Sequence, residues 1–141
     1  MKQYKAYCFD LDGTVYKGKD VIDTAVAYIH MLQARGIEPF YVTNNSSKTT
    51  AQIQETLRAF RIEAPATHIY SSAMATAQYV KHHYPNASVR VMGEDGIRNA
   101  AQTVGLQLVD GVEADVFVMG IDRELTYNSL SAAALAVQNG A

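Results

Sequence analysis

The stretch YCFDLDGTVY, Tyr7 to Tyr16, is an apolar run broken by two acids, Asp10 and Asp12, and then by Gly13-Thr14. Tyr4 to Leu11 reads as a strand with little polar alternation, as in a sheet covered on both faces. Residues two apart on a strand point to the same side, so Asp10 and Asp12 are expected to reach one ligand. Two close carboxylates repel, and need a cation or a shared proton. A hard cation such as Mg²⁺ suits oxygen donors and would bridge them to phosphate. One carboxylate could attack phosphorus while the other handles protons. Gly13 allows close approach of the backbone to a substrate, and Thr14 can tie the turn. An isolated Asp-x-Asp is most often a solvated turn, so the rest of the chain must decide.

Downstream, strands and helices alternate. Asp23 is placed to cap a helix running to Arg35, with Ala25, Ile29 and Leu32 as its apolar stripe and Gly36 just past its end. Ile37 to Val42 reads as a second strand, ending at Thr43-Asn44-Asn45-Ser46-Ser47. Thr49 and Gln52 have the spacing of a capping box, before a helix carrying Ile53, Leu57 and Phe60 on one face. Ile69-Tyr70 is a short strand, and Ser72 to about Tyr84 a helix through Met74, Ala77 and Val80. Pro85-Asn86 marks a boundary, after which the pattern restarts: strand Val89–Met92, helix Gly96–Val104, strand Val116–Ile121, helix Tyr127–Gln138. This order implies an α/β fold with a Rossmann-like, largely parallel sheet and right-handed crossovers. Ligands of such sheets sit outside the carboxyl ends of the strands. The Asp10–Thr14 and Thr43–Ser47 clusters both fall at that edge, on successive strands.

The totals narrow the class. The 141 residues are 48% apolar with a formal net charge of −2, and Lys and Arg are scattered singly. That composition supports a folded core and lacks the basic footprint of a nucleic-acid binder. The one cysteine, Cys8, reads as a small buried thiol, in keeping with a reducing compartment. No long apolar segment precedes Asp10 and no run reaches membrane-helix length, so the reading is a soluble cytoplasmic protein with no membrane partner. Adjacent His82 and His83 do not share a helix face, and no second ligand stands at zinc spacing. Asp122-Arg123 reads either as a substrate-facing loop or as an ion pair at a strand end.

FDLDGTVY resembles the first motif of the haloacid dehalogenase superfamily. YVTNNSSKT resembles its second motif, in the form of the NagD-like, nitrophenyl-phosphatase branch, and VFVMGIDRELTY resembles a segment of that branch's large α/β cap. The resemblance covers essentially the whole chain. It implies that residues 1–84 form the N-terminal part of the core and 85–141 the first half of the cap. It implies a Mg²⁺-dependent phosphatase acting on a small phosphorylated metabolite through an aspartyl-phosphate. Asp10 would be the nucleophile, and Asp12 the acid for the leaving oxygen and then the base for water. Mg²⁺ would be held by the Asp10 carboxylate and the Asp12 backbone carbonyl. Gly13, Thr43, Asn44 and Asn45 would bind the phosphoryl group. An Asp at position 12 favours ester hydrolysis over dehalogenation, because a leaving alkoxide needs a proton.

The family's later lysine and its last acidic motif are not found in these residues, so the chain reads as part of a longer one. A compact, capless phosphatase using Lys81 and Asp95, with Glu94 alongside, is a second reading. A non-catalytic binding module on the same fold is a third. A mutase-type phosphotransferase would carry a small helical cap after the first motif, and only one helix lies between Asp12 and Thr43. If later strands of the core are missing, Tyr4–Leu11 becomes an edge with only Lys2, Lys5 and the terminal acids to guard it, to be satisfied by another chain, as in a homodimer, by further sequence, or by aggregation.

Overall fold

The computed structural model describes residues 4–141, so Lys2 lies outside the described residues. The chain packs as two units. One comprises the chain up to Asn44 together with Thr50–Ser71, and the other Asn45–Thr49 together with Ser72–Ala141.

The first unit is built on β1 (Cys8–Asp10), a hairpin of β2 (Tyr16–Lys17) and β3 (Asp20–Val21), α1 (Asp23–Gln33), β4 (Phe40–Thr43), α2 (Thr50–Ala59), a 3₁₀ turn (Ala66–His68) and β5 (Ile69–Ser71). β1, β4 and β5 form a parallel sheet in that order. Phe9, Tyr41 and Ile69 lie opposite one another across it and face a core with Leu11, Val15, Ile29, Leu57 and Ile62. Burying each such side chain contributes roughly 1.5–3 kcal/mol. α1 turns Val26, Ile29 and Leu32 inward, so Val26 takes the place expected of Ala25. Its N-cap is Ile22, and Asp23 stands one residue later, in the first turn, where a negative charge faces the positive end of the helix dipole. Gly36 follows the helix at φ +74°, a conformation that a side chain disfavours.

The other face of this sheet corrects the expectation of two covered faces. Cys8 and Asp10 are exposed, as are Val42 (45%) and Tyr70 (54%), which share their register. Cys8 is therefore an exposed thiol rather than a buried one. Its strand is also shorter than read, because β1 has a ladder partner only in β4 among the described residues.

The second unit contains α3 (Ser72–His83), β6 (Ser88–Met92), α4 (Asp95–Thr103), β7 (Gln107–Leu108), β8 (Val116–Met119) and α5 (Tyr127–Gln138). Its parallel sheet runs β7-β6-β8. Ala73, Ala77 and Val80 of α3 pack with Val89, Val91, Ile97, Ala101 and Val118, so α3 belongs to this core and precedes the Pro85-Asn86 boundary marked by the sequence. The Asp115 carboxylate accepts from the Ser88 N–H and hydroxyl at 2.8 and 2.7 Å, tying the starts of β6 and β8. These bonds to its charged form hold Asp115 below the usual carboxylate range. α5 opens on a Thr126–Ser129 capping box.

Candidate active site

In the first unit the parallel register sets Asp10 opposite Val42 and Thr43 opposite Ser71. β1 and β4 therefore end at the same edge, with Asp12 just past one strand and Thr43-Asn44 at the end of the other. Thr43 is buried, while Asn44, Asp10 and Asp12 are exposed.

The turn after β1 is wound around one carbonyl. Leu11 O accepts from the N–H groups of Thr14, Val15 and Tyr16 at 3.2, 2.9 and 3.2 Å, and Gly13 N–H donates to Tyr16 O at 2.6 Å. Leu11 and Val15 are fully buried and anchor the turn, so Asp12, Gly13 and Thr14 are held outward. Gly13 adopts φ +88°, which explains glycine at this point.

Tyr16 lies within reach of the charges of both carboxylates. It is 5% exposed, packs its ring against Phe60 at 5.4 Å, and has its phenol pushed up to about 12. Burial is the main cause, followed by the charges of Asp12 and then Asp10. The charges of both acids reach this one hydroxyl. The reading of the sequence gave Tyr16 no role; its place four residues after Asp12, beyond an apolar Val15, was the available signal.

Asn45 belongs to the second unit. Its Oδ1 accepts from Ser47 N, Ser47 Oγ and Lys48 N at 2.9, 2.9 and 3.2 Å, so this oxygen organises the loop. Lys81 and Asp95 do not meet. Lys81 Nζ donates to Gly105 O at 3.1 Å, beyond the C-terminus of α4, whereas Asp95 is the first residue of that helix. A helix of this length separates its ends by about 12 Å. The two residues of the compact reading thus stand at opposite ends of α4. Arg123 pairs with Glu94 at 2.8 Å, so the strand-end ion pair forms, with Glu94 rather than Asp122 as the acid. Asp122 instead accepts from Glu124 N–H at 3.0 Å. Ser46, Gly96 and Gly120, which pack together in this unit, were not read as functional.

Among the described residues no group of three or more His, Cys, Asp or Glu is placed to hold a metal, and no helix is long and apolar enough to cross a membrane. Two exposed carboxylates at a strand end still suit Mg²⁺, which commonly takes one or two carboxylates and completes its shell with water and phosphate oxygens.

Comparison with known proteins agrees with this geometry. The haloacid dehalogenase-like hydrolase profile matches residues 7–107. An acid sugar phosphatase of Staphylococcus epidermidis is 45% identical over 141 residues, covering 100% of this chain and 54% of that protein. Among solved structures, a double-mutant thermostable NPPase from Geobacillus stearothermophilus aligns with a TM-score of 0.89 at 40% identity, covering 100% of this chain and 55% of that one. A p-nitrophenyl phosphatase from Archaeoglobus fulgidus aligns with a TM-score of 0.85 at 30% identity, covering 95% and 51%. The chain thus spans about half the length of the relatives it matches. It belongs to the haloacid dehalogenase-like hydrolase family, in its NagD-like branch.

Proposed function

We propose that this chain carries the nucleophile end of a phosphoric monoester hydrolase acting on small phosphorylated metabolites. The observation that supports it best is the register of β1 and β4, which sets Asp10 and Asp12 beside Thr43 and Asn44 at one strand edge. Relatives named acid sugar phosphatase and p-nitrophenyl phosphatase support the same reaction class. In this reading residues 1–84 are the N-terminal part of the catalytic core, and residues 85–141 the first half of a cap.

The chemistry divides between the two acids. An Asp10 carboxylate oxygen attacks phosphorus and the bond from phosphorus to the ester oxygen breaks, leaving an aspartyl-phosphate. Asp12 gives its proton to the departing oxygen. Asp12 then takes a proton from water, whose oxygen attacks phosphorus, releasing inorganic phosphate and restoring Asp10. Thr43 and the backbone N–H of Asn44 hold the phosphoryl oxygens, and Gly13 lets the backbone come close to them. Positioning and charge neutralisation do most of the work in such transfers. The Asp10 carboxylate and Asp12 carbonyl would hold Mg²⁺, which when bound neutralises phosphoryl charge. The test is hydrolysis of an aryl phosphate by the full-length protein with and without Mg²⁺. Metal-dependent release of phosphate is expected, and its absence with a folded protein would support the binding-module reading instead.

A further inference from the structure

Tyr16 holds both peptide planes that flank Asp12. Its N–H donates to Leu11 O at 3.2 Å, beside the N–H groups of Thr14 and Val15, and its carbonyl accepts from Gly13 N–H at 2.6 Å. Leu11 O lies in the plane before the Asp12 Cα, and Gly13 N in the plane after it. Peptide units are planar and rigid, so holding both leaves the Asp12 Cα little rotation. The same planarity turns the Asp12 carbonyl away from Tyr16, because the C=O and N–H of a trans peptide point in opposite directions. Asp12 and Tyr16 also form an isolated parallel bridge. What seats Tyr16 is its side chain. The residue is buried, with its ring centroid 5.4 Å from that of Phe60, just past the end of α2, and the two rings inclined at 39°. Leu11, Val15, Ile53 and Leu57 belong to the same core. Val21 lies opposite Tyr16 across the β2–β3 hairpin, and Ile22 N–H donates to Val15 O at 2.9 Å. Every one of these groups belongs to the first unit.

We infer that Tyr16 is a positioning residue for Asp12: its ring, seated against Phe60, anchors the main-chain bonds that set the direction of the Asp12 carboxyl and of the Asp12 carbonyl. Many residues could make the bonds to Leu11 and Gly13, which use only the main chain. The large buried ring is what keeps them in one place. Tyr16 acts through Asp12 rather than on the substrate. In the phosphatase reading, on which the inference rests, the Asp12 carboxyl gives the proton to the departing oxygen and its carbonyl would hold Mg²⁺.

The experiment compares Tyr16→Leu and Tyr16→Phe in the full-length protein by calorimetric titration of Mg²⁺ and by hydrolysis of two esters, nitrophenyl phosphate and an alkyl phosphate. Nitrophenolate leaves without a proton and an alkoxide needs one, so a misdirected Asp12 slows the alkyl ester more. The ratio kcat/KM reports only the steps up to loss of the ester oxygen, which isolates this effect from the later attack of water. Tyr16→Leu is expected to lower kcat/KM about 100-fold on the alkyl ester and about fivefold on the aryl ester, and to weaken Mg²⁺ binding about tenfold. Tyr16→Phe keeps the ring and is expected to stay within about twofold of the unsubstituted protein in each measurement. Equal losses on the two esters overturn the inference, since a merely loosened fold slows both alike, and leave the phosphatase reading standing. A loss in Tyr16→Phe as large as in Tyr16→Leu also overturns it, because the hydroxyl rather than the seated ring would then be at work. Should Tyr16→Leu fail to fold, Phe60→Leu removes the ring against an unchanged Tyr16 and is expected to show the same imbalance between the esters, about tenfold. No imbalance there overturns the inference. An unsubstituted protein that hydrolyses neither ester overturns the phosphatase reading, and unchanged Mg²⁺ affinity in the variants then overturns the inference separately.

Discussion

Asp10 on β1 lies opposite Val42 on β4 in parallel register, so the strands carrying the two motifs end side by side. Asp10 is exposed at that edge, which separates its chemistry from the packing of the core. Asp10→Asn should therefore leave the thermal midpoint unchanged while lowering phosphatase turnover of the full-length protein by about 10⁴-fold or more. Steady-state kinetics beside a melting curve checks both halves. Near-normal turnover would remove Asp10 as nucleophile.

Asp12 contributes differently to a metal site if it binds through its backbone carbonyl. Asp12→Asn should then keep most of the Mg²⁺ affinity that Asp10→Asn loses, yet still lose turnover, since an amide neither gives nor takes the proton. Calorimetric titration of Mg²⁺ into both variants decides this. Equal loss of affinity would make the Asp12 side chain a direct ligand.

Two of the nine tyrosines should titrate late. Tyr16 and Tyr41 are both pushed up to about 12, chiefly by burial. A phenol that ionises at about 12 when folded and near 10.0 when unfolded stabilises the fold fully below the lower value, and that stabilisation is lost as pH rises toward the higher one. A tyrosinate absorbance titration should show this late phase accompanied by unfolding. Tyr41→Phe should shrink it. The Tyr41 hydroxyl is buried with no hydrogen-bond partner among the described residues. Its removal should leave stability unchanged or raise it by about 1 kcal/mol, read from a urea midpoint.

The uncovered face of the first sheet should make residues 1–141 self-associate when expressed alone. Val42 and Tyr70 lie side by side on it, and β1 offers an unpaired edge among the described residues. Exposed apolar strands of this kind template pairing with another chain. Light scattering should show mass rising with concentration, and Val42→Lys with Tyr70→Lys should suppress that rise. A concentration-independent monomer would contradict the expectation.

What the sequence determined by itself was whatever local chemistry and period encode. Apolar runs ending in Asp10-Leu11-Asp12-Gly13 and in Thr43-Asn44 marked strands that pair in parallel, with the candidate site at their carboxyl ends. The stripes of Ile29 and Leu32, Ile53 and Leu57, and Ala77 and Val80 marked helices that the structure contains. Tertiary structure alone decided the rest. The β2–β3 hairpin and β7 are two residues per strand, too short to carry a period. Whether Cys8 is buried depends on what covers its face, and nothing in an apolar run records that. The small face of α3 could pack on either sheet, and it joins the second unit. The need for glycine at position 96 arises from carbonyls of Ser46 and Lys48, some fifty residues away in the chain. Steric requirements of that kind exist only once distant segments meet.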